Sequence, residues 1–442
     1  MPANNMAGFR TDVVQALQAL HVPNLRWPGG NMVSEYRWTD GIGDRDKRPP
    51  RFTRELWETN DVGIDEFIQL CRLIGAKPYL AVNAGDGTPE EAVALVEYCN
   101  LGPEKKYGKE RGQNGYPEPY NVRLWGIGNE MFGSWQKGHV DEETYARRHV
   151  AIAQAMRAVD RNMKIVASGA RYWFYPRWNQ ALLQIAGDHL DYISLHSYAK
   201  KYRSSMKKED LKNPKFAEEF YYYIVSLPYV IEEQIMETDK EIRKTLAGRA
   251  DVKVAFDEWN CWAYLAPYEL VDFQLRDVLY TAGVFHAFRR QNQAVTLANF
   301  SKTVNALSMI RVNPSGIFFN PQYLTYKIYL NHSGPVLLDT ESNCDSFPAP
   351  EYEEGRPQAV GRIKYLDVSA TASQDGKTVF LAVINLHRKK AIETVISFDS
   401  WKFSPDVTTY EIYDDDDMAE NTFENPDRLT IGEGRLSDVM VP

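Results

Sequence analysis

An α/β fold, a (β/α)8 TIM barrel followed by a C-terminal all-β sandwich, is the architecture this sequence predicts, and three observations lead to it. Apolar strand-like runs alternate with amphipathic helical stretches up to about residue 310, the pattern of repeated βα units on a parallel sheet. Two of those runs carry a glutamate at the C-terminal tip: residues 122–127 lead into Gly128-Asn129-Glu130, and residues 252–257 lead into Glu258. From about Leu337 the pattern changes to short alternating strands separated by turn signals. The expected division is therefore a barrel over residues 1–335 and an accessory β-sandwich, jelly-roll-like and incomplete, over residues 336–442.

Each element follows in order. Residues 9–20 read as the first helix, with Val13, Val14, Leu17 and Leu20 on one face. Residues 22–27 are a strand ending in Pro28-Gly29-Gly30-Asn31. A helix over 65–74 is stopped by Gly75 and Pro78. The strand 79–83 and the helix 89–98 follow, and the Gly-, Pro- and Lys-rich stretch 101–121 reads as an exposed loop. After the strand that leads to Glu130 comes a helix over 142–159, with Tyr145, His149, Ile152, Met156 and Val159 at helical spacing. Strands are expected at 164–167 and 192–196, then a long polar-aromatic helical insertion over about 207–247. The Glu258 strand, a helix over 274–290 and a strand over 294–299 complete the α/β part. Residues 378–385 and 391–398 are examples of the later β-strands.

Seven barrel strands are countable, ending near Trp27, Asn83, Glu130, Ala167, His196, Glu258 and Asn299. An eight-stranded barrel needs one more. The chain opens on a helix, so the first strand is expected upstream of Met1.

Composition narrows the function classes. The 442 residues are 44% hydrophobic and 25% charged, ordinary globular values with ample length for a large core and a second domain. A formal net charge of −9 argues against nucleic acid as a partner. No apolar run approaches the length that spans a membrane, so no membrane partner is expected. The four cysteines (Cys71, Cys99, Cys261 and Cys344) have neither metal-ligand nor disulfide-framework spacing. Cys71 and Cys99 lie on apolar helical stripes and read as buried thiols. The acidic run 414–417 is most simply a solvated turn, with a calcium loop as the alternative. Aromatic residues reach 12%, including 10 Trp and 26 Tyr, which suits either stacking on sugars or filling a large core.

The chemistry rests on the paired glutamates. Strand-end loops build the active site of a parallel barrel, and glycoside hydrolysis asks for two carboxylates facing one bond. Glu130 and Glu258 are far apart in sequence, so only the fold can bring them together. Glu130 is expected to protonate the leaving oxygen and then deprotonate water, with a proton affinity raised by burial and by its partner's charge. Glu258 is expected to attack the anomeric carbon. Asn129 is placed to bond a sugar hydroxyl, and Tyr198 to orient the nucleophile. No cofactor and no metal are required by this chemistry. Either glutamate taken singly also reads as a structural ion-pair partner.

The segments Asn24-Leu-Arg-Trp-Pro-Gly-Gly-Asn31, Glu58-Thr-Asn60, Leu124-Trp-Gly-Ile-Gly-Asn-Glu-Met131, Asp191-Tyr-Ile-Ser-Leu-His-Ser-Tyr198 and Phe256-Asp-Glu-Trp-Asn260 resemble glycoside hydrolase family 51, mainly α-L-arabinofuranosidases. The resemblance implies Glu130 as acid/base and Glu258 as retaining nucleophile. It also implies that Asn31, Asn129 and Tyr198 line a pocket for terminal arabinofuranose, supported by Arg26 and walled by Trp57 and Trp262. Arg26 reads alternatively as a buried ion-pair partner, and Trp57 as core. The substrate implied is an arabinose-containing oligosaccharide or polysaccharide. Members commonly form homo-oligomers, although nothing in this sequence marks an interface. Members occur inside cells and secreted; a cytoplasmic location is the first expectation and secretion the alternative.

Three departures accompany the resemblance. The family's first strand, with a sugar-binding glutamate, is expected to precede this chain's start, sandwich strands are expected to be missing at both ends, and Asn320 or Gln322 stands where a pocket glutamine is expected. The competing functions are an endo-β-1,4-glucanase or xylanase on the same scaffold, and a carbohydrate-binding homologue without turnover.

Overall fold

The computed structural model describes residues 4–53, 57–199, 206–262, 271, 273–350, 360–398 and 407–436. They divide into two compact units. One comprises Met1–His196, Gln234–Trp259 and Asn292–Asn299; the other comprises Ser197–Glu233, Asn260–Gln291 and Phe300–Pro442.

The first unit is organised by a seven-stranded sheet whose strands follow chain order: β1 (Asn24–Trp27), β2 (Lys77–Val82), β3 (Leu124–Ile127), β4 (Lys164–Ser168), β5 (Tyr192–Ala199), β6 (Lys253–Cys261) and β7 (Val295–Phe300). The pairings from β1 through β5 are parallel, with Trp27 opposite Leu80, Val82 opposite Ile127, and Ile127 opposite Ala167. The two edge strands meet through side chains, Asn299 donating to Asn24 at 2.5 Å. The sheet is therefore curled into a nearly closed barrel. Its interior is built in the manner of such barrels, from layers supplied by alternate strands. Tyr79, Val166 and Ala255 from β2, β4 and β6 form one buried set, and Leu124, Tyr192 and Leu297 from β3, β5 and β7 pack against it.

The helices cover the sheet for legible reasons. α1 (Thr11–Leu20) buries Val14, Leu17 and Leu20. α2 (Ile64–Ile74) begins where Glu66 accepts from the Gly63 amide at 2.8 Å, and it ends at Gly75, whose φ of 74° suits a residue without Cβ. α3 (Pro89–Asn100) starts on the Thr88–Glu91 capping box. The stretch expected as an exposed loop instead contains a short helix, α4 (Lys106–Gln113). Its sequence has no apolar stripe, and it is held by fully buried Arg111, which donates to the carbonyls of Tyr98, Leu101, Tyr116 and Pro117. α5 (Glu142–Val159) matches the expected bounds, with Asp141 capping Thr144. α6 (Trp178–Ala186) was not anticipated.

The insertion forms a long helix, α7 (Pro214–Leu246), of which the part up to Glu233 belongs to the second unit, and the second unit also holds α8 (Leu275–Arg290) and α9 (Pro321–Asn331). Its β elements are β8 (Lys302–Val304), β9 (Ser308–Asn313), β10 (Gly316–Phe319), β11 (Val336–Leu338), β12 (Ser346–Pro348), β13 (Arg362–Lys364), β14 (Leu366–Ala372), β15 (Val379–Asn385), β16 (Val407–Glu411) and β17 (Gly432–Leu436). From β11 onward every pairing is antiparallel, as the all-β domain requires. Tyr221, Val225, Ala282, Phe347, Ile363, Ile384 and Leu386 form its core. Residues 391–398, expected as a strand, form no strand ladder among the described residues, and Val395 is 90% exposed. An alternating pattern forms a strand only where a partner edge is in register. The acidic run is neutralised by arginines: Arg428 contacts Asp414 and Asp416, and Arg388 contacts Asp417. The four cysteines are unbridged. Among the described residues no helix is long and apolar enough to cross a membrane.

Candidate active site

The site is assembled at the C-terminal ends of the barrel strands. After β3 the backbone turns sharply: Gly128 has φ of 75°, its amide donates to the Val82 carbonyl, and Glu130 itself has φ of 43°. A left-handed glutamate is sparsely populated and is typical of functional positions. The turn is held from beneath by Tyr145 of α5, whose hydroxyl donates to the Ile127 carbonyl and accepts from the Ser168 amide. The Met131 amide donates to the Ser168 hydroxyl. β6 runs on to Cys261, so Glu258 stands within the strand rather than at its last residue.

His196 of β5 joins the two glutamates. Its Nδ1 lies 2.9 Å from Glu130 Oε1 and 3.7 Å from Glu258 Oε2. Those two oxygens are thus no further apart than these two legs placed end to end, which is short of nearly all of the ~6.5–9.5 Å inverting range. Arg26 of β1 donates to Glu258 Oε2 at 3.2 Å and to Asn129 Oδ1 at 2.8 Å. Beneath them lies Asp257, almost fully buried, accepting from the Tyr79 and Ser194 hydroxyls at 2.8 and 2.5 Å. Asp257 also sits 3.4 Å from His196 Nε2 and 3.7 Å from Arg26 Nε. Above, the Trp135 indole N–H donates to Glu130 Oε2 at 2.7 Å.

Electrostatics follow from this packing. Burial alone would strip the proton from His196, but the charge of Glu258 and hydrogen bonds to Asp257 and Glu130 push its pKa up to about 10. Burial would raise Asp257, yet Arg26, His196 and Ser194 hold it down at about 2. Burial likewise favours neutral Glu130, but His196, Trp135 and Arg171 outweigh it and hold the carboxyl below the usual glutamate range. The raised proton affinity expected for Glu130 is therefore reversed in the free protein, because a cationic histidine sits against it. Arg26 stays firmly charged: burial opposes it, while Asp257, Tyr79 and Glu258 more than compensate.

Of the residues singled out from sequence, Arg26, Asn129, Glu130 and Glu258 converge in this cluster. Arg26 is indeed a buried ion-pair partner, but its partners are Glu258 and Asp257. Asn31 lies in the 3-10 turn after β1, where its carbonyl accepts from Gln136 in the loop that follows Glu130. Tyr198 lies two residues past His196 and meets Trp262 edge to face at 6.2 Å in the second unit. Trp57 is not brought among the carboxylates, nor is it core. It is 65% exposed on a two-residue hairpin strand, packed on Phe52 at 5.5 Å. Sequence reasoning assigned no role to His196, Asp257, Tyr79, Ser194 or Trp135. The period-two spacing of Ser194, His196 and Tyr198 was the available signal for one inward face of β5. Among the described residues no cluster suits a metal ion.

A parallel barrel that gathers two glutamates, an asparagine and an arginine at its strand ends is the framework of a glycoside hydrolase. The family model of the α-L-arabinofuranosidase 1 domain matches residues 16–216, and that of the α-L-arabinofuranosidase C-terminal domain matches residues 257–439. The chain is 32% identical over 416 residues to a probable α-L-arabinofuranosidase C of Aspergillus clavatus, covering 89% of this chain and 78% of that protein. Against the α-L-arabinofuranosidase C of Emericella nidulans, identity is 31% over 451 residues, with 95% and 83% covered. The arabinose complex of the Thermotoga maritima α-L-arabinofuranosidase superposes with a TM-score of 0.88 at 36% identity, covering 98% of this chain and 87% of that one. The Thermotoga petrophila GH51 enzyme gives 0.89 at 37% identity, with 99% and 88% covered. The chain belongs to the α-L-arabinofuranosidases of glycoside hydrolase family 51.

Proposed function

We propose that this chain removes terminal α-L-arabinofuranosyl residues from arabinoxylan, arabinan or their oligosaccharides by double displacement, with Glu258 as nucleophile and Glu130 as acid/base. The observation that carries the proposal is the gathering of both carboxylates around one histidine, 2.9 and 3.7 Å from its Nδ1, which supports a reaction that needs two carboxylates at one bond. In the first step a Glu258 oxygen bonds to the anomeric carbon as the glycosidic C–O bond breaks, and Glu130 gives its proton to the leaving oxygen. In the second, water attacks that carbon, Glu130 takes the water's proton, and Glu258 departs as carboxylate.

The proton for the first step is stored in the His196–Glu130 pair, which resides as imidazolium and carboxylate in the free protein. Forming the glycosyl-enzyme neutralises Glu258, whose charge is a main support of the His196 proton. That loss lowers the site's proton affinity when Glu130 must act as a base. Arg26 holds Glu258 and Asn129 in one plane of contacts, and the Asn129 Nδ2, buried and unpartnered among the described residues, supplies a donor for a sugar hydroxyl beside the reacting carbon. We assign Asn31 to the rim of the sugar pocket, and we keep the barrel at residues 1–335 and the accessory domain at 336–442. The Bifidobacterium longum relative named exo-α-(1→6)-L-arabinofuranosidase, 28% identical over 459 residues, supports an exo mode over the endo-glucanase or xylanase alternative.

Proton NMR of a digest tests the reading. Free arabinose released from an arabinoxylo-oligosaccharide should appear first as the α anomer. Initial release of the β anomer, or of oligosaccharides cut within the backbone, would overturn it.

A further inference from the structure

The segment that follows β4 carries Tyr172-Trp173-Phe174-Tyr175, four consecutive aromatics outside the barrel core. The Phe174 and Tyr175 amides both donate to the Arg171 carbonyl, closing the segment on itself, and Arg171 Nε donates to the His196 carbonyl at 3.0 Å. The run is thereby tied to β5. Phe174 is nevertheless 46% exposed.

Aromatic contacts continue from this segment to the acid/base. Tyr175 packs on Phe132 with ring centres 4.5 Å apart, Phe132 meets Trp135 edge-on at 5.9 Å, and Trp135 bonds Glu130. Burial, and after it the Glu130 charge, raise the proton affinity of the Tyr175 hydroxyl. Among the described residues Glu130 is hydrogen-bonded by His196 on Oε1 and by Trp135 on Oε2, and the proton it gives to a glycosidic oxygen must leave from one of those two oxygens. His196 on Oε1 is buried, whereas Trp135 on Oε2 is 43% exposed. The leaving part of the substrate therefore departs past Trp135, and the apolar surface leading away runs through Phe132 and Tyr175 to Phe174. Pyranose rings present broad C–H faces that stack on aromatic side chains, and these rings offer apolar area at low entropic cost.

We infer that Trp135, Tyr175 and Phe174 form a subsite for the leaving glycan, a chain of pyranose units such as a xylan backbone, and that this subsite sets the preference for polymeric over small substrates. The inference rests on the function proposed above. Its test compares kcat/KM for an arabinofuranosyl-substituted xylo-oligosaccharide with that for p-nitrophenyl α-L-arabinofuranoside, in the full chain and in a Phe174→Ala/Tyr175→Ala variant. The ratio of the two values should fall about tenfold, mainly through KM for the oligosaccharide. A ratio cancels any loss of folded protein. An unchanged ratio would overturn the subsite while leaving the function intact. A wild-type chain that hydrolyses neither substrate would overturn both.

Discussion

Replacing His196 by asparagine removes the cation that opposes burial at Glu130 while keeping a hydrogen-bonding side chain in place. His196 Nδ1 lies 2.9 Å from Glu130 Oε1, which puts the charge centres roughly 4 Å apart and their attraction at about 4 kcal/mol for an effective dielectric near 20. At 1.36 kcal/mol per pH unit, that is a displacement of about three. In the wild type the pair's last proton leaves His196, whose pKa is pushed up to about 10. In the variant it leaves Glu130, where burial acts with less opposition once the cation is gone. The basic limb of the kcat/KM profile should therefore move toward acid, by about three pH units on that attraction alone. The assay is that profile for p-nitrophenyl α-L-arabinofuranoside, wild type beside His196→Asn. A basic limb left in place would refute the stored-proton account, because some other group would then carry it.

Other expectations test separate parts of the site. Glu130→Ala should lower hydrolysis of arabinoxylo-oligosaccharides by about 10²–10⁴-fold, the worth of general acid catalysis, and should lower glycosylation by a dinitrophenyl arabinofuranoside far less, since that leaving group needs no proton. Gly128→Ala forces a Cβ to φ of 75°, 2.9 Å from Met131 Cγ and 3.0 Å from Ala84 Cβ. It should cost about 1–3 kcal/mol in thermal melts and depress kcat by shifting Asn129 and Glu130. The charged cluster also ties stability to pH. His196, raised to about 10, contributes in full below about 6.5, and this is lost as pH climbs toward 10; Asp257, lowered to about 2, contributes above about 3.9, and this is lost as pH falls toward 2. Melting temperature should therefore decline between pH 6.5 and 10 more steeply in the wild type than in His196→Asn.

What the sequence made legible follows from which signals are local. Glu130, Asn129 and Glu258 were readable because strand tips in a parallel barrel face the chemistry, and Arg26 because its motif ends the first visible strand. Asp257 and His196 were harder. Asp257 neighbours the nucleophile in sequence, but its meaning lies in Tyr79 and Ser194, 178 and 63 positions away. The reversed proton affinity of Glu130 arises the same way, from a histidine 66 positions distant. The exposure of Trp57 on a two-residue strand was not legible, because a tryptophan's type does not say how far its neighbours cover it. α4 escaped notice because its helix is stabilised by one buried arginine serving carbonyls, a device with no periodic signature. Residues 391–398 show the converse, a clear alternation that forms no ladder among the described residues.

The central claim is that Glu258 and Glu130 of this chain cleave an arabinofuranoside bond. Hydrolysis of p-nitrophenyl α-L-arabinofuranoside by the 442-residue chain, beside a Glu258→Ala variant, tests it most directly. The account predicts steady release of nitrophenol by the wild type and none above background by the folded variant. Silence from a folded wild type, or equal turnover by both proteins, would contradict it.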